Sequence, residues 1–354
     1  MHVARRTDAV LFVVALVWGS SYLAAKTATV ALPVLAVLFA RYAISALACA
    51  ALVAVRSLSR GRGRGRARRW TRAEVRAGSL LGVTQAVVLV LETYGVAHTS
   101  AANAGLIISL TIVLTPLLTP LLDRTGSRRL PWTFFLAAGV CVVAVGLLTA
   151  STGLHALRTG DALMLAAALV RAGHVVLVGR LTGGRPVDPL HLTTVQTAVG
   201  TALFLPLAAI HLPGLFHSSA TTWAQLAYLA LFCSVFAFLA QTWAVQGTSA
   251  SRASLLLGTE PIWAVAIGIS VGGERLTSWA ALGALLMVVG TYWGQAIERT
   301  HRTDLTDRTD RIEQTGRTGR TGRTGQTERP ATARARASTG KEDEACPNMT
   351  PTSA

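Results

Sequence analysis

"HTSAANAGLI" (His98–Ile107) and "GTSASRASLL" (Gly247–Leu256) are two versions of one motif, and their separation decides the fold. In each, Thr-Ser-Ala opens an apolar helix after a very short connection. Smaller matches flank them. "ALV" occurs at Ala15–Val17 and at Ala168–Val170, in the first apolar run of each half. Gly139 and Gly146, like Gly283 and Gly290, stand seven apart in the last run of each half. That spacing puts both glycines of a pair on one helix face, where a neighbouring helix can approach closely. The chain therefore reads as a duplicated unit.

Ten apolar segments surround the motif, at residues 8–27, 32–55, 76–97, 100–122, 131–150, 160–180, 189–211, 222–245, 251–271 and 277–297. Each is near the ~20 residues that carry a helix across a bilayer. The 354 residues are 51% apolar and 14% charged, with mean hydropathy +0.47. A soluble domain carries about a quarter charged residues. The runs are apolar all round, which favours helices over the alternating strands of a barrel. The expected fold is an all-α integral membrane protein with ten transmembrane helices in two five-helix repeats. Residues 1–155 and 156–298 form the repeats, and 299–354 an Arg/Thr/Gly-rich tail. Five is odd, so the second repeat enters the membrane inverted, a plan that recurs in secondary transporters. The loops agree: residues 56–76 hold nine arginines, whereas the corresponding 211–221 connection holds His211 and His217 and no arginine.

The net charge of +16 suggests nucleic-acid binding until its distribution is read. Half of the excess lies in the 56–76 loop between two apolar runs, so it reads as a cytoplasmic membrane face on anionic lipid, and no nucleic acid is expected. The positive-inside rule then puts both termini in the cytoplasm of a multi-pass plasma-membrane protein. Arg5 and Arg6 before an apolar run resemble a signal sequence, but no cleavage site follows, and the run reads as a retained first helix. The tail repeats Arg-Thr-Gly with few large apolar residues and reads as disordered. Neither a Cys pair nor a His/Cys/carboxylate set points to disulfides, metal or a cofactor, and no phosphate loop is present.

The ordered set of motifs resembles one family. It comprises "WGSSY" (Trp18–Tyr22), Arg41 in "LFARYAISAL", "TSAANAGLI" from Thr99, "TEP" (Thr259–Pro261) and "GERLT" (Gly273–Thr277), on a five-plus-five helix plan. It is similar to the EamA-like members of the drug/metabolite transporter superfamily over residues 8–297. The resemblance implies an exporter of amino acids, metabolites or drugs. Two departures stand out: Ile112 occupies the first-half place of Pro261, and the "GER" turn has no first-half copy.

Charges inside spans are functional candidates, because each costs about 2.5–3.5 kcal/mol at a helix centre. Glu260, in "LLLGTEPIWAVAIGI", is the foremost, as a proton- or substrate-binding group or as half of a Glu–Arg staple. Pro261 breaks its helix and frees a carbonyl near Leu257, which with Thr259 could coordinate substrate or ion. Glu92 and Arg41 carry the same two readings, substrate contact or helix staple. Arg171 and His174, three apart, share a helix face, either as an anion site or as packing. Trp18 and Tyr22, four apart, line a cavity or pack. Asn103 and Gln85 are polar cavity candidates, and Lys26 is expected to snorkel to the interface.

The functional expectation is a secondary transporter that exports a small-molecule substrate by alternating access and is not an enzyme. The alternative is a membrane-embedded enzyme acting on a lipid or isoprenoid carrier, which the almost purely arginine loops disfavour. A homodimer is left open.

Overall fold

The computed structural model describes residues 2–61, 70–122, 131–150, 158–182, 187–240, 257–275, 277–297 and 300. All of them lie in one unit, Met1–Arg302. The Arg-Thr-Gly tail, most of the arginine loop, the "DRTGSRR" connection and the second motif copy at 247–256 lie outside the described residues.

Twelve helical segments carry the described chain. They are α1 (His2–Ala31), α2 (Val34–Gly61), α3 (Arg72–Ala97), α4 (Ala101–Ile108), α5 (Thr111–Leu122) and α6 (Trp132–Ala150). There follow α7 (Thr159–Thr182), α8 (Pro189–Ala208), α9 (Leu212–Phe216), α10 (Ala220–Ala227), α11 (Glu260–Ser270) and α12 (Ser278–Ile297). Eight described helical stretches are long and apolar enough to cross a membrane, and Trp132–Leu148 and Glu260–Ser270 are shorter apolar helices. A π-helix, Tyr228–Phe236, continues α10.

Local chemistry explains the starts. Thr71 accepts the Glu74 N–H at 3.1 Å and donates its own N–H to Glu74 Oε2 at 3.0 Å. This capping box starts α3 four residues before the apolar run does. Asp188 caps α8 by accepting the Leu190 N–H at 3.0 Å, and Pro189 fills the first turn, where a missing N–H is harmless. Ser100 caps α4 through the Asn103 N–H at 2.9 Å.

The segment expected as one helix over 100–122 is interrupted at Ser109–Leu110, between α4 and α5. The repeat offset of 149, which carries His98 onto Gly247, carries Ser109–Leu110 onto Gly258–Thr259. Gly258–Thr259 is the turn immediately before α11. The first-half interruption thus corresponds in the repeat to the turn before α11, and the two turns arise by different means. In the second half Pro261 removes a donor. In the first, Ser109 Oγ donates to the Leu106 carbonyl at 2.6 Å, and the Ser109 and Leu110 N–H groups reach back only three residues, to Leu106 and Ile107. A local side-chain bond and a tightened turn replace the proline.

Glycines set the close contacts. A Cβ on Gly105 of α4 would collide with that of Ala264 in α11, and one on Gly19 of α1 would lie 2.6 Å from Trp263 Cβ. Gly78 and Gly82 bring α3 against Val195, Gln196 and Val199 of α8, and Gly200 of α8 leaves room for the Tyr42 ring of α2. Gly283 and Gly290 of α12 meet Ala144, Leu148 and Cys141 of α6, as their spacing predicts. Gly139 and Gly146 do not follow that expectation: nothing lies within 4 Å of their missing Cβ atoms. α6 presents Val140, Cys141, Ala144 and Leu148 to α12 instead, so only one helix of that pair uses its glycine face.

Gly105→Val should lower the thermal midpoint of the purified protein in detergent, since overpacking a tight contact costs about 1–3 kcal/mol. Gly139→Ala, with open space around it, should leave the midpoint unchanged or raise it. Equal effects would contradict the α4–α11 contact.

Candidate functional site

A cavity of about 670 Å³ runs between the helices. Both breaks line it, through Ile108 and Ser109 on one side and Leu257 and Gly258 on the other. Its lining continues to Thr182, Val187 and Pro189, at the bundle end where α2 runs into the arginine loop.

Most of the candidates meet here. Trp18, Tyr22, Arg41, Gln85, Glu92, Arg171, His174, Glu260 and Pro261 all line the cavity. Two do not. Asn103 is buried in α4 away from the lining. Thr259 lies just behind the wall, and its carbonyl accepts the Ile262 and Trp263 N–H groups at 3.0 and 3.4 Å. That carbonyl is therefore not free for a ligand.

At the centre Arg171 donates to Glu92 Oε1 at 3.2 Å and lies 3.8 Å from Glu260 Oε2. Tyr22 donates its hydroxyl to Glu260 Oε1 at 2.5 Å. The guanidinium also sits 5.7 Å from the Trp18 ring centroid. α1, α3, α7 and α11 each supply one or more of these groups. Glu260 is thus paired with an arginine and also faces the cavity. His174 Nδ1 lies 2.7 Å from Thr84 Oγ1 of α3.

The π-helix shapes the opposite wall. Its wide turns leave carbonyls open to side chains: Trp18 Nε1 donates to the Cys233 carbonyl at 3.1 Å and Ser45 Oγ to that of Ala230 at 3.1 Å. Arg41 Nε donates to Ser234 Oγ at 3.0 Å. No sequence signal marked this segment, because a π-helix differs from an α-helix by hydrogen-bond register and not by composition.

The "GER" turn has a clear structural role. Gly273, at φ +66°, turns the chain after α11. Glu274 then reaches across to α4, where its carboxylate accepts the Ala101 and Ala102 N–H groups at 2.7 and 2.9 Å. Lys26 of α1 joins the same carboxylate at 3.0 Å. Lys26 is thus held in an ion pair and does not simply extend to the interface as expected. Thr99 donates to buried Asp161 at 2.5 Å nearby, tying the α3–α4 connection to α7. None of these groups lines the cavity; they tie α1, α4, α7 and the turn after α11 together at the end away from the arginines. At the arginine end, Arg56 pairs with Asp188 at 2.9 Å and Glu74 accepts the Asp188 N–H at 3.2 Å.

Apolar helices of spanning length around a polar, ion-paired cavity define a multi-pass membrane protein. The chain belongs to the EamA-like transporter family, which it matches over residues 5–152 and again over 158–293. It is 27% identical over 285 residues to the uncharacterized inner membrane transporter YedA of Escherichia coli K12, covering 79% of this chain and 88% of that one. It is 25% identical over 291 residues to an uncharacterized transporter of Archaeoglobus fulgidus, covering 81% of this chain and 96% of that protein. A solved crystal structure sharing 18% identity matches the fold with TM-score 0.52, over 82% of this chain and 97% of the other.

Glu274→Ala removes two charge-assisted hydrogen bonds and an ion pair, each such hydrogen bond being worth about 1.5–3 kcal/mol. In a cysteine-free background carrying Ser21→Cys, it should speed labelling by an impermeant thiol reagent from the Lys26 side about tenfold or more. Unchanged labelling would show that the cluster does not close that end.

Proposed function

We propose that the protein is a secondary transporter that exports a small metabolite, amino acid or drug by alternating access between two inverted five-helix halves, residues 1–155 and 156–298. One observation carries this reading: Glu92 and Tyr22 belong to the first half, Arg171 and Glu260 to the second, and all four meet on the cavity wall. An ion set shared between two halves is broken or remade when they rock. Two carboxylates on one guanidinium carry a net negative charge, which a proton can neutralise. Protonation of Glu260 weakens its hold on Arg171 and loosens α11 from α7, while Arg171 keeps Glu92. That step couples proton occupancy to the contact between halves. The arginine end faces the cytoplasm, with both termini, and the 56–76 loop rests on anionic lipid.

The test is an untargeted comparison of metabolites inside and outside cells with and without the protein, repeated with Glu260→Gln. A solute should move outward with the wild-type chain. Glu260→Gln should cut its proton-driven flux at least about tenfold and flatten the pH dependence, as expected when a titrating group is lost. An unchanged metabolite distribution would refute the transporter reading. Full pH-dependent flux in Glu260→Gln would refute the coupling role alone.

A further inference from the structure

A small alcove of about 20 Å³ opens beside the main cavity, lined by Arg41, Tyr42, Gln85, Thr193, Gln196 and Ser234 among others. It shares Arg41, Gln85, Thr193 and Gln196 with the main cavity, so a solute there can place one group into it. We propose that this alcove receives the carboxylate of an amphiphilic organic anion, a substrate class within the transporter reading on which the proposal rests.

Four observations converge. First, Arg41 differs from Arg171. Arg171 is shared by two carboxylates, whereas Arg41 donates Nε to Ser234 and, among the described residues, has no carboxylate within ion-pair distance, Glu92 acting on it only from farther off. Arg41 lines the alcove, and a guanidinium is a planar fork that suits a carboxylate. Second, the Tyr42 hydroxyl is buried and has no hydrogen-bond partner, although the residue is only 4% exposed. A buried hydroxyl left unsatisfied costs about 1–3 kcal/mol, which a bound acceptor recovers. Third, the Gln85 and Gln196 side chains offer amide donors at the same place and make no hydrogen bond among the described residues. Fourth, no carboxylate lines the alcove. Its polar wall thus offers a cation, the Tyr42 hydroxyl and two amides; the rest is apolar or hydroxyl, and the Ser45, Thr197 and Ser234 hydroxyls are already hydrogen-bonded.

The packing holds this arrangement in place. Gly200 lets the Tyr42 ring lie directly against α8, and Phe204 stacks on it with centroids 5.4 Å apart. Gly82 brings α3 onto Gln196, which sets Gln85 and Gln196 on facing helices. Ser45 bonds to the π-helix carbonyl of Ala230 and fixes α2 one turn beyond Arg41. Leu89 and Phe238 line both the alcove and the main cavity, and the Trp18 ring of the main cavity meets Phe238 edge to face at 5.9 Å. They offer an apolar, aromatic surface to the body of the anion. The alcove's size admits the oxygen of a planar carboxylate, since a site needs roughly 10–15 Å³ to hold one water-sized group.

The experiment uses the purified full-length chain in detergent and isothermal titration with three matched probes: phenylacetate, phenylacetamide and 2-phenylethylamine. Phenylacetate should bind, and the amide and amine should bind about tenfold or more weakly. Tyr42→Phe should weaken phenylacetate about tenfold without lowering the thermal midpoint, because the hydroxyl has no partner inside the protein. Arg41→Gln should weaken it further, and Arg41→Lys less than Arg41→Gln. Equal binding of the three probes, no binding of phenylacetate up to millimolar concentration, or unchanged affinity in Tyr42→Phe would each overturn the proposal. Labelled phenylacetate in proteoliposomes separates the two readings: binding without flux would refute transport and leave the carboxylate site standing.

Discussion

The structure turns on one guanidinium. Arg171 sits inside an apolar bundle, where an uncompensated charge is expensive, and its compensation comes from Glu92 and Glu260 on two other helices. Tyr22 extends the set to a fourth by donating to Glu260. Side chains of this length meet only if their backbones come close, and the glycines provide that closeness. Gly19 lets α1 touch α11, and Gly105 lets α4 touch the same helix. Gly95 meets Met164, which holds α3 to α7 one helix end away from the Glu92–Arg171 bond. The polar centre and the small-residue contacts are therefore one requirement expressed twice, first as charge and then as shape.

Much of this was legible in the sequence, for identifiable reasons. Charges within spans are rare enough to stand out, so Glu92, Arg171 and Glu260 were visible as candidates and proved to be neighbours. Proline is equally plain, and Pro261 marked the second-half break. The first-half break was hidden because Ser109 achieves with one hydroxyl what proline achieves by lacking an N–H. Serine inside an apolar run carries no such mark. Tyr42 and Gln196 were missed for a similar reason: each reads as ordinary helix surface until Gly200 and Gly82 bring α2 and α3 onto α8. The glycine spacing in α6 misled in the other direction, since a seven-residue period defines a face without saying which neighbour it meets.

Helix termini account for what the spans do not. Carboxylates cap helices at both ends of the bundle, Glu74 and Asp188 at the arginine end and Glu274 at the other. A terminal N–H carries part of the helix dipole, so a carboxylate there is held by charge as well as by geometry. The two ends nevertheless differ. Glu274 reaches from the end of α11 to the start of α4, so it joins the two helices that carry the breaks. The links at the arginine end join α2, α3 and α8, none of which is broken.

The breaks, the shared guanidinium and the alcove occupy different walls of one cavity, and their signs differ. The Glu92–Arg171–Glu260 set is rich in acceptors, with two carboxylates for one cation. The Arg41 alcove is rich in donors and has no carboxylate in its lining. The cavity thus has two walls of opposite character, which share α3 through Glu92 and Gln85. The first wall also takes in α7 and the short α11, and the second takes in α2 and α8, which pack closely through Gly200.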